Sequence, residues 1–443
     1  MERESGMGKS LYCLRAVIAC LSAVCLSGSI RETEKGDGPA ACGSVLWDAG
    51  RLGDPVAERG MKEREAPGER LEARRWEGRE WTVEEDGAEI SMGRNITSHG
   101  SILERGEDYV FAAGGKGLRA GMELYGGPDV PGKEDYSIYR LKDNRWELFA
   151  SHPPESVNNK EITRHNFHDE TSVSNLVCHD GFLYYSLLYD NAPGEGSDEE
   201  KYIYRIPEQG GEPEELALAY DTFYIYRGKI YYRTLEERKG DTYWKYAYWE
   251  MEPDGTGKRL VCRAENDLHD VGMFTVGGGC LYVKHGNKLM GVNLGNGNRK
   301  YFLFKKNADR IYYEDGFLYM HTDGASISRM NVITGETEGV SGKACKAYLG
   351  AGLLCFIQKE TLPGEVEYCL NVMDLRTGGI ASKRFRDTGE NVEEEVMAHL
   401  GAIDDWIVVV VYIPEWYGGG ESRFYFRYGN GMLLEEKNGG NGI

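Results

Sequence analysis

The 443 residues carry 52 Lys and Arg against 72 Asp and Glu, a formal net charge of -20. That balance excludes a general nucleic-acid binder, which needs a basic face, and attraction to an anionic membrane surface. No apolar run reaches the roughly 18–20 residues of a spanning helix, and 59 Gly and 29 Tyr against 13 Pro point to many tight turns between aromatic strands.

In chain order, Lys9 and Arg15 precede an apolar or small run from Ala16 to Ser29. A basic start, a short apolar stretch and small residues at a cut are the grammar of an export signal. Residues 1–29 are therefore expected to be a signal peptide or a lipoprotein-type signal, with a cut after Ser29, and the protein to be exported to the cell surface or beyond. The competing reading is an apolar N-terminal helix of a cytosolic protein. Val17-Ile18-Ala19-Cys20 resembles a lipobox, which makes Cys20 a candidate for lipidation and the N-terminus the place of any membrane attachment. Residues 30–94 are rich in Gly, Glu and Arg with almost no apolar periodicity, the composition of a mostly disordered linker.

From residue 95 a pattern recurs: a Gly or Asp turn followed by an apolar-aromatic strand. Its seven anchors are Asp108-Tyr-Val-Phe, Gly181-Phe-Leu-Tyr-Tyr, Gly228-Lys-Ile-Tyr-Tyr, Gly279-Cys-Leu-Tyr-Val, Gly316-Phe-Leu-Tyr-Met, Gly352-Leu-Leu-Cys-Phe and Asp405-Trp-Ile-Val-Val. A second strand follows each, as in Tyr136-Ser-Ile-Tyr-Arg-Leu, Lys201-Tyr-Ile-Tyr-Arg-Ile and Lys245-Tyr-Ala-Tyr-Trp, then a Gly, Asp or Asn turn. The third unit reads as four strands: Thr222–Arg227, Lys229–Thr234, Lys245–Glu252 and Arg259–Cys262. Four antiparallel strands per unit, seven units and no helical periodicity predict an all-β fold, a seven-bladed β-propeller over 95–437 with a disordered tail at 438–443. Spread over seven units, the region gives about 49 residues each, near the roughly 40–50 of such repeats. The last unit supplies all its own strands, so closure without a borrowed strand is expected; the alternative is an added strand from Trp81–Ser91.

The repeated turn-aromatic-Leu/Ile-Tyr-Tyr and Ile-Tyr-Arg-Ile pattern, with the opening Asn95-Ile-Thr-Ser-His-Gly-Ser-Ile, resembles a family of exported Gram-positive proteins. That family is a domain of unknown function named for its likeness to the β-propeller of the low-density lipoprotein receptor-related protein. Asp254-Gly-Thr-Gly-Lys-Arg-Leu is also similar to TolB-type propellers. The resemblance covers residues 95 to about 436 and implies the propeller fold and an extracytoplasmic, often lipid-anchored location, with no established activity. Cys355 stands where the repeat expects Tyr, and Tyr-Trp-Thr-Asp repeats are missing, so receptor-type ligand binding is not implied.

Chemistry is sparse. His165, His168 and Asp169 have the residue types of a metal site, but two His on a loop more often reflect a solvated loop; no metal and no cofactor are expected. Asp254-Gly-Thr-Gly lacks the spaced acids of a calcium loop and reads as a hairpin turn. Cys355 and Cys369 are candidates for a cross-strand disulfide, with buried free thiols as the alternative. No GxSxG elbow is present, and no catalytic residue stands out among so many acids. Trp416, Tyr417, Tyr243 and Trp244 are candidate ligand contacts, because aromatics beside loops stack on sugars or pack on peptides. The function expected is a non-catalytic cell-surface binding or scaffold module whose partner is a glycan, peptide or protein. The alternative is an extracytoplasmic hydrolase or lyase, whose site at the ring centre needs two or three carboxylates or a His with a strongly shifted pKa.

Overall fold

Each of the seven anchors forms the first tight turn of an antiparallel sheet. In the computed structural model, residues 90–91, 94–95, 102–127, 136–152, 173–189, 200–220, 222–239, 243–266, 274–286, 288–303, 308–322, 326–342, 344–350, 352–362, 365–386, 397–413 and 420–442 are described. All fall within one unit, Trp76–Ile443. In Asp180-Gly181, Arg227-Gly228, Gly278-Gly279 and Asp315-Gly316 both residues have positive φ. This is the type I′ geometry, whose twist matches that of the strands it joins.

Two short strands come first, β1 (Ile90–Ser91) and β2 (Arg94–Asn95). Seven four-stranded meanders follow. Blade 1 is β3 (Leu103–Arg105), β4 (Val110–Ala113), β5 (Ser137–Lys142) and β6 (Arg145–Ser151). Blade 2 is β7 (Val173–His179), β8 (Phe182–Tyr189), β9 (Glu200–Pro207) and β10 (Glu214–Ala219). Blade 3 is β11 (Phe223–Tyr226), β12 (Lys229–Lys239), β13 (Tyr243–Met251) and β14 (Arg259–Asn266). Blade 4 is β15 (Phe274–Gly277), β16 (Cys280–His285), β17 (Lys288–Asn293) and β18 (Arg299–Leu303). Blade 5 is β19 (Ala308–Glu314), β20 (Phe317–Thr322), β21 (Ser326–Asn331) and β22 (Thr337–Ser341). Blade 6 is β23 (Ala344–Gly350), β24 (Leu353–Leu362), β25 (Glu365–Asp374) and β26 (Ile380–Arg386). Blade 7 is β27 (Met397–Ile403), β28 (Trp406–Ile413), β29 (Gly420–Gly429) and β30 (Met432–Gly442).

The first strands of neighbouring blades touch one another, β3 with β7, β11 with β15, β15 with β19, β23 with β27 and β27 with β3. They therefore form the inner wall of a closed ring, a seven-bladed β-propeller. The core lies in the seams. Tyr184 and Val177 of blade 2 pack with Tyr224 and Tyr231 of blade 3, and Phe274 of blade 4 continues the cluster. Tyr282 of blade 4 stacks on Tyr313 of blade 5 with ring centroids 5.7 Å apart. One blade exposes two apolar faces, and only its neighbours bury both.

Blades 7 and 1 each keep four consecutive strands, so the ring closes without a borrowed strand. A helix does the closing, contrary to the all-strand expectation. α1 (Lys116–Tyr125) follows β4 and places Leu118 and Ala120 among Leu103, Val110 and Trp146 of blade 1 and Ile403, Trp406 and Tyr425 of blade 7. Two clasps flank this wedge. Arg105 donates to both oxygens of Asp404 at 2.9 and 2.6 Å, and Tyr125 Oη donates to Asp404 Oδ2 at 2.7 Å. Buried Arg423 reaches Glu123 of α1 at 2.8 and 2.6 Å, and Tyr425 Oη donates to the other Glu123 oxygen at 2.5 Å.

Two further differences concern the domain ends. β1 and β2 lie at the edge of the region read as linker, and they pair with blades 3 and 6. The strand at Ile90–Ser91 thus joins an inner edge and takes no part in ring closure. β30 continues to Gly442, beyond the end expected at residue 437.

Candidate functional site

The tight turns of β3–β4 and their counterparts share one face of the ring with the turns between third and fourth strands. The other face carries the connections between second and third strands and those between blades. Tyr243 opens β13 there, opposite Lys239. Trp244 follows and is half-buried, its ring edge-on to Tyr220 at 5.6 Å and tilted against Tyr246 at 6.2 Å. The fully buried Arg233 guanidinium lies 4.2 Å over Tyr246 and 5.3 Å from Tyr220, so Trp244 completes an aromatic packing group and is not a free platform. Trp416, Tyr417, His165, His168, Asp169 and Cys20 lie outside the described residues.

Cys355 and Cys369 are free thiols. The ladder sets Cys355 opposite Val372 and Cys369 opposite Gln358, a three-residue offset. An odd offset turns the two side chains to opposite faces of the sheet and separates them by roughly 10 Å along the strand, beyond disulfide reach. Asp254 is a turn residue: its Oδ1 accepts from Thr256 N at 2.9 Å and Thr256 Oγ1 at 2.5 Å. Asn293, Asn331 and Asp374 repeat the same Asx turn in blades 4, 5 and 6.

Among the described residues, the pair of carboxyls with raised pKa lies on the tight-turn face, at the seam of blades 1 and 2. Glu104 on β3 accepts from the backbone N–H of Cys178 on β7 at 3.3 Å. Glu208, 3% exposed just past β9, accepts from Glu107 N in the β3–β4 turn at 3.0 Å. Arg140 of β5 donates to the Glu208 carbonyl at 3.0 Å. Gly106 makes room, since a Cβ there would stand 2.1 Å from Glu208 Oε2. Burial pushes Glu104 up to about 8; the Cys178 N–H opposes this and the Glu208 charge adds to it. Burial raises Glu208 too, against the Glu107 N–H. Burial, then both carboxylates, raises the Cys178 thiol, which removes its thiolate character at neutral pH. In chemical terms Glu104 is a protonated carboxyl at pH 7, the state a general acid needs.

On the same seam His152 bonds Tyr185 Oη at 2.6 Å and packs 5.0 Å from the Tyr204 ring. Burial lowers it to about 4, so it is a neutral imidazole at pH 7. Sequence reasoning named neither acid nor His152, because each gains its environment from another blade. The Arg of the repeated Ile-Tyr-Arg motif, by contrast, stacks on an aromatic ring of its own blade. Arg140 lies over Tyr109 at 4.5 Å and Arg205 over Phe182 at 4.8 Å. Arg329 lies over Phe317 at 4.7 Å, and Arg427 over Trp406 at 4.6 Å. Among the described residues, no three His, Cys, Asp or Glu side chains group as metal ligands.

These features define a class: a seven-bladed propeller with charged groups committed to its seams. No protein-family model matches the chain, and no curated protein matches it. Solved structures do. The N-terminal domain of Nup159 is similar at 12% identity and a TM-score of 0.33, over 48% of this chain. The alignment spans only 59% of that domain's length. Hsv2p of Kluyveromyces lactis is similar at 8% identity and a TM-score of 0.36, covering 76% of this chain and 99% of that one. AztD of Citrobacter koseri gives 8% and 0.36, covering 68% and 91%. Overlap at this level bears on neither activity nor ligand.

Proposed function

We propose that the chain is a non-catalytic binding or scaffold module of the cell surface, exported through its N-terminal segment and related to the propeller family whose repeat it resembles. The observation that carries this reading is the use made of the shifted acids. Glu104 and Glu208 each hold a backbone N–H of the adjoining blade, so the groups best suited to acid–base work act as stitches between blades 1 and 2. Among the described residues, the exposed large apolar side chains Leu148, Leu218, Tyr301, Ile333, Ile380 and Met432 are spread over six blades, mostly on outer strands. Such scatter supports a glycan or peptide ligand over a large protein partner, which would use one apolar patch.

The test is a thermal-melt screen of the full chain against soluble glycans, cell-wall fragments, short peptides and divalent cations. A ligand of the folded state raises the melting temperature by mass action, and a shift confined to one ligand class is the expected result. The enzyme reading is favoured by one observation, the carboxyl of Glu104 at about 8. It requires that a panel member be converted to product and that Glu104→Gln abolish the conversion.

A further inference from the structure

An inner strand offers main-chain donors that its own second strand cannot reach. In blade 2 the two-residue turn Asp180-Gly181 makes His179 and Phe182 a ladder pair. Ladder bonds alternate along an antiparallel strand, so the N–H of Cys178, one residue back, points away from β8. In blade 5 the turn Asp315-Gly316 sets Glu314 opposite Phe317, and the Tyr313 N–H is the equivalent donor. Each donor is taken up by a side chain from the inner strand of the preceding blade. Thr275 Oγ1 of β15 accepts from Tyr313 N at 3.2 Å, and Glu104 Oε1 of β3 accepts from Cys178 N at 3.3 Å. Two seams thus share one device with different chemistry. The hydroxyl does not titrate; the carboxyl does.

Glu104 faces a second carboxyl. Glu208, packed against Gly106 and bonded to the Glu107 N–H, opposes the ionisation of Glu104. The β3–β4 turn adds Glu107 and Asp108, and β7 with its turn adds Cys178, His179 and Asp180. Arg140 of β5 bonds Glu147 and the Glu208 carbonyl, and Arg205 of β9 bonds Glu214. On the blade 7 side Arg105 is bound to Asp404, β27 carries His399, and α1 carries Lys116, Arg119 and Glu123, the last bound to Arg423. β1, beside β7, brings only Ile90 and Ser91. Among the described residues no Lys or Arg pairs with the Glu104 or Glu208 side chain.

We propose that the seam of blades 1 and 2 is a pH-operated joint: on losing its proton, Glu104 leaves the Cys178 N–H for water at the inner wall and loosens the tight-turn end of the seam, while the hydroxyl-stitched seam of blades 4 and 5 stays shut. A carboxylate out of water needs a counter-charge or several donors. One N–H does not suffice, since burial outweighs it and lifts the group to about 8. Glu104 is half-buried on an inner strand, so rotation of its side chain reaches water without moving β3. The two carboxylates belong to different blades, so their repulsion acts across the seam. The inference goes beyond the binding-module reading, and no ligand enters its test.

The test is hydrogen exchange of the full chain at about pH 6.5 and 9.5, expressed as protection relative to a free chain. Opening that requires ionisation grows about ten-fold per pH unit above the pKa, so the Cys178 N–H is expected to lose at least about ten-fold in protection. The Tyr313 N–H is expected to change less than about two-fold. Glu104→Gln should abolish the loss at Cys178, and Glu208→Gln, which removes the facing charge, should move its midpoint to lower pH. Equal losses at Cys178 and Tyr313, or no loss at Cys178, would overturn the proposal, and both are read in the wild type should a variant not fold. A loss at Cys178 that persists in folded Glu104→Gln would overturn it as well.

Discussion

Glu104 is a carboxyl whose charge the fold resists. Its pKa is raised in the folded state, so its contribution to stability is complete below its ordinary value near 4.5 and lost as pH rises through about 8. His152 has the opposite sign: its lowered value favours folding above about 6.5 and withdraws that support as pH falls toward 4. The two slopes nearly cancel between about pH 4.5 and 6.5, so the expected profile is a plateau there followed by a fall of about 2 kcal/mol between pH 6.5 and 8 due to Glu104. Glu104→Gln keeps an acceptor for the Cys178 N–H and removes the proton, so calorimetry should find its melting temperature nearly flat from pH 6 to 9. An alkaline slope equal to the wild type's would show that another group causes it. Gly106→Ala tests the same seam sterically. Its Cβ meets Glu208 Oε2, and denaturant unfolding should show a loss of about 1–3 kcal/mol.

At the scale of elements, α1 explains both how the ring closes and why the sequence hid it. Gly117 and Gly121 interrupt the helical pattern at the cost of propensity. They lie one turn apart because the backbone must approach closely there: a Cβ would fall 2.5 Å from the Ile102 carbonyl and 2.6 Å from the Trp146 ring. The strands, by contrast, were legible, since Gly228-Lys-Ile-Tyr-Tyr and its copies combine a left-handed turn with period-2 apolar spacing, and all seven anchors fall in first turns. The clasp from Glu123 to buried Arg423 was not legible, because 300 residues separate the partners. Glu123→Gln leaves the guanidinium without its counter-charge, and a loss of about 2–4 kcal/mol is expected in equilibrium unfolding. A change within about 0.5 kcal/mol would mean that the clasp adds nothing to closure.

At the scale of the whole molecule, the ring sets a few of the described charged groups between blades, Glu104 and Glu208 at one seam and the Asp404 and Glu123 clasps at another. Composition at -20 left the acids unrankable. Only the three-dimensional placement of Glu104 against Cys178, and of Glu208 against the β3–β4 turn, singled out a pair. β1 and β2 were equally hidden: edge pairing is made by backbone, which imposes no side-chain pattern, so a Glu- and Gly-rich stretch reads as linker right up to the ladder.

The central claim is that Glu104 and Glu208 serve the ring and not a reaction. Its most direct test compares the wild type with Glu104→Gln over one panel of glycans, cell-wall fragments and peptides, following the melting temperature and product release in the same samples. The account predicts that the ligand class that raises the melting temperature of the wild type raises that of Glu104→Gln equally, with no product from either. Product released by the wild type and lost in Glu104→Gln, with ligand binding retained, would contradict it.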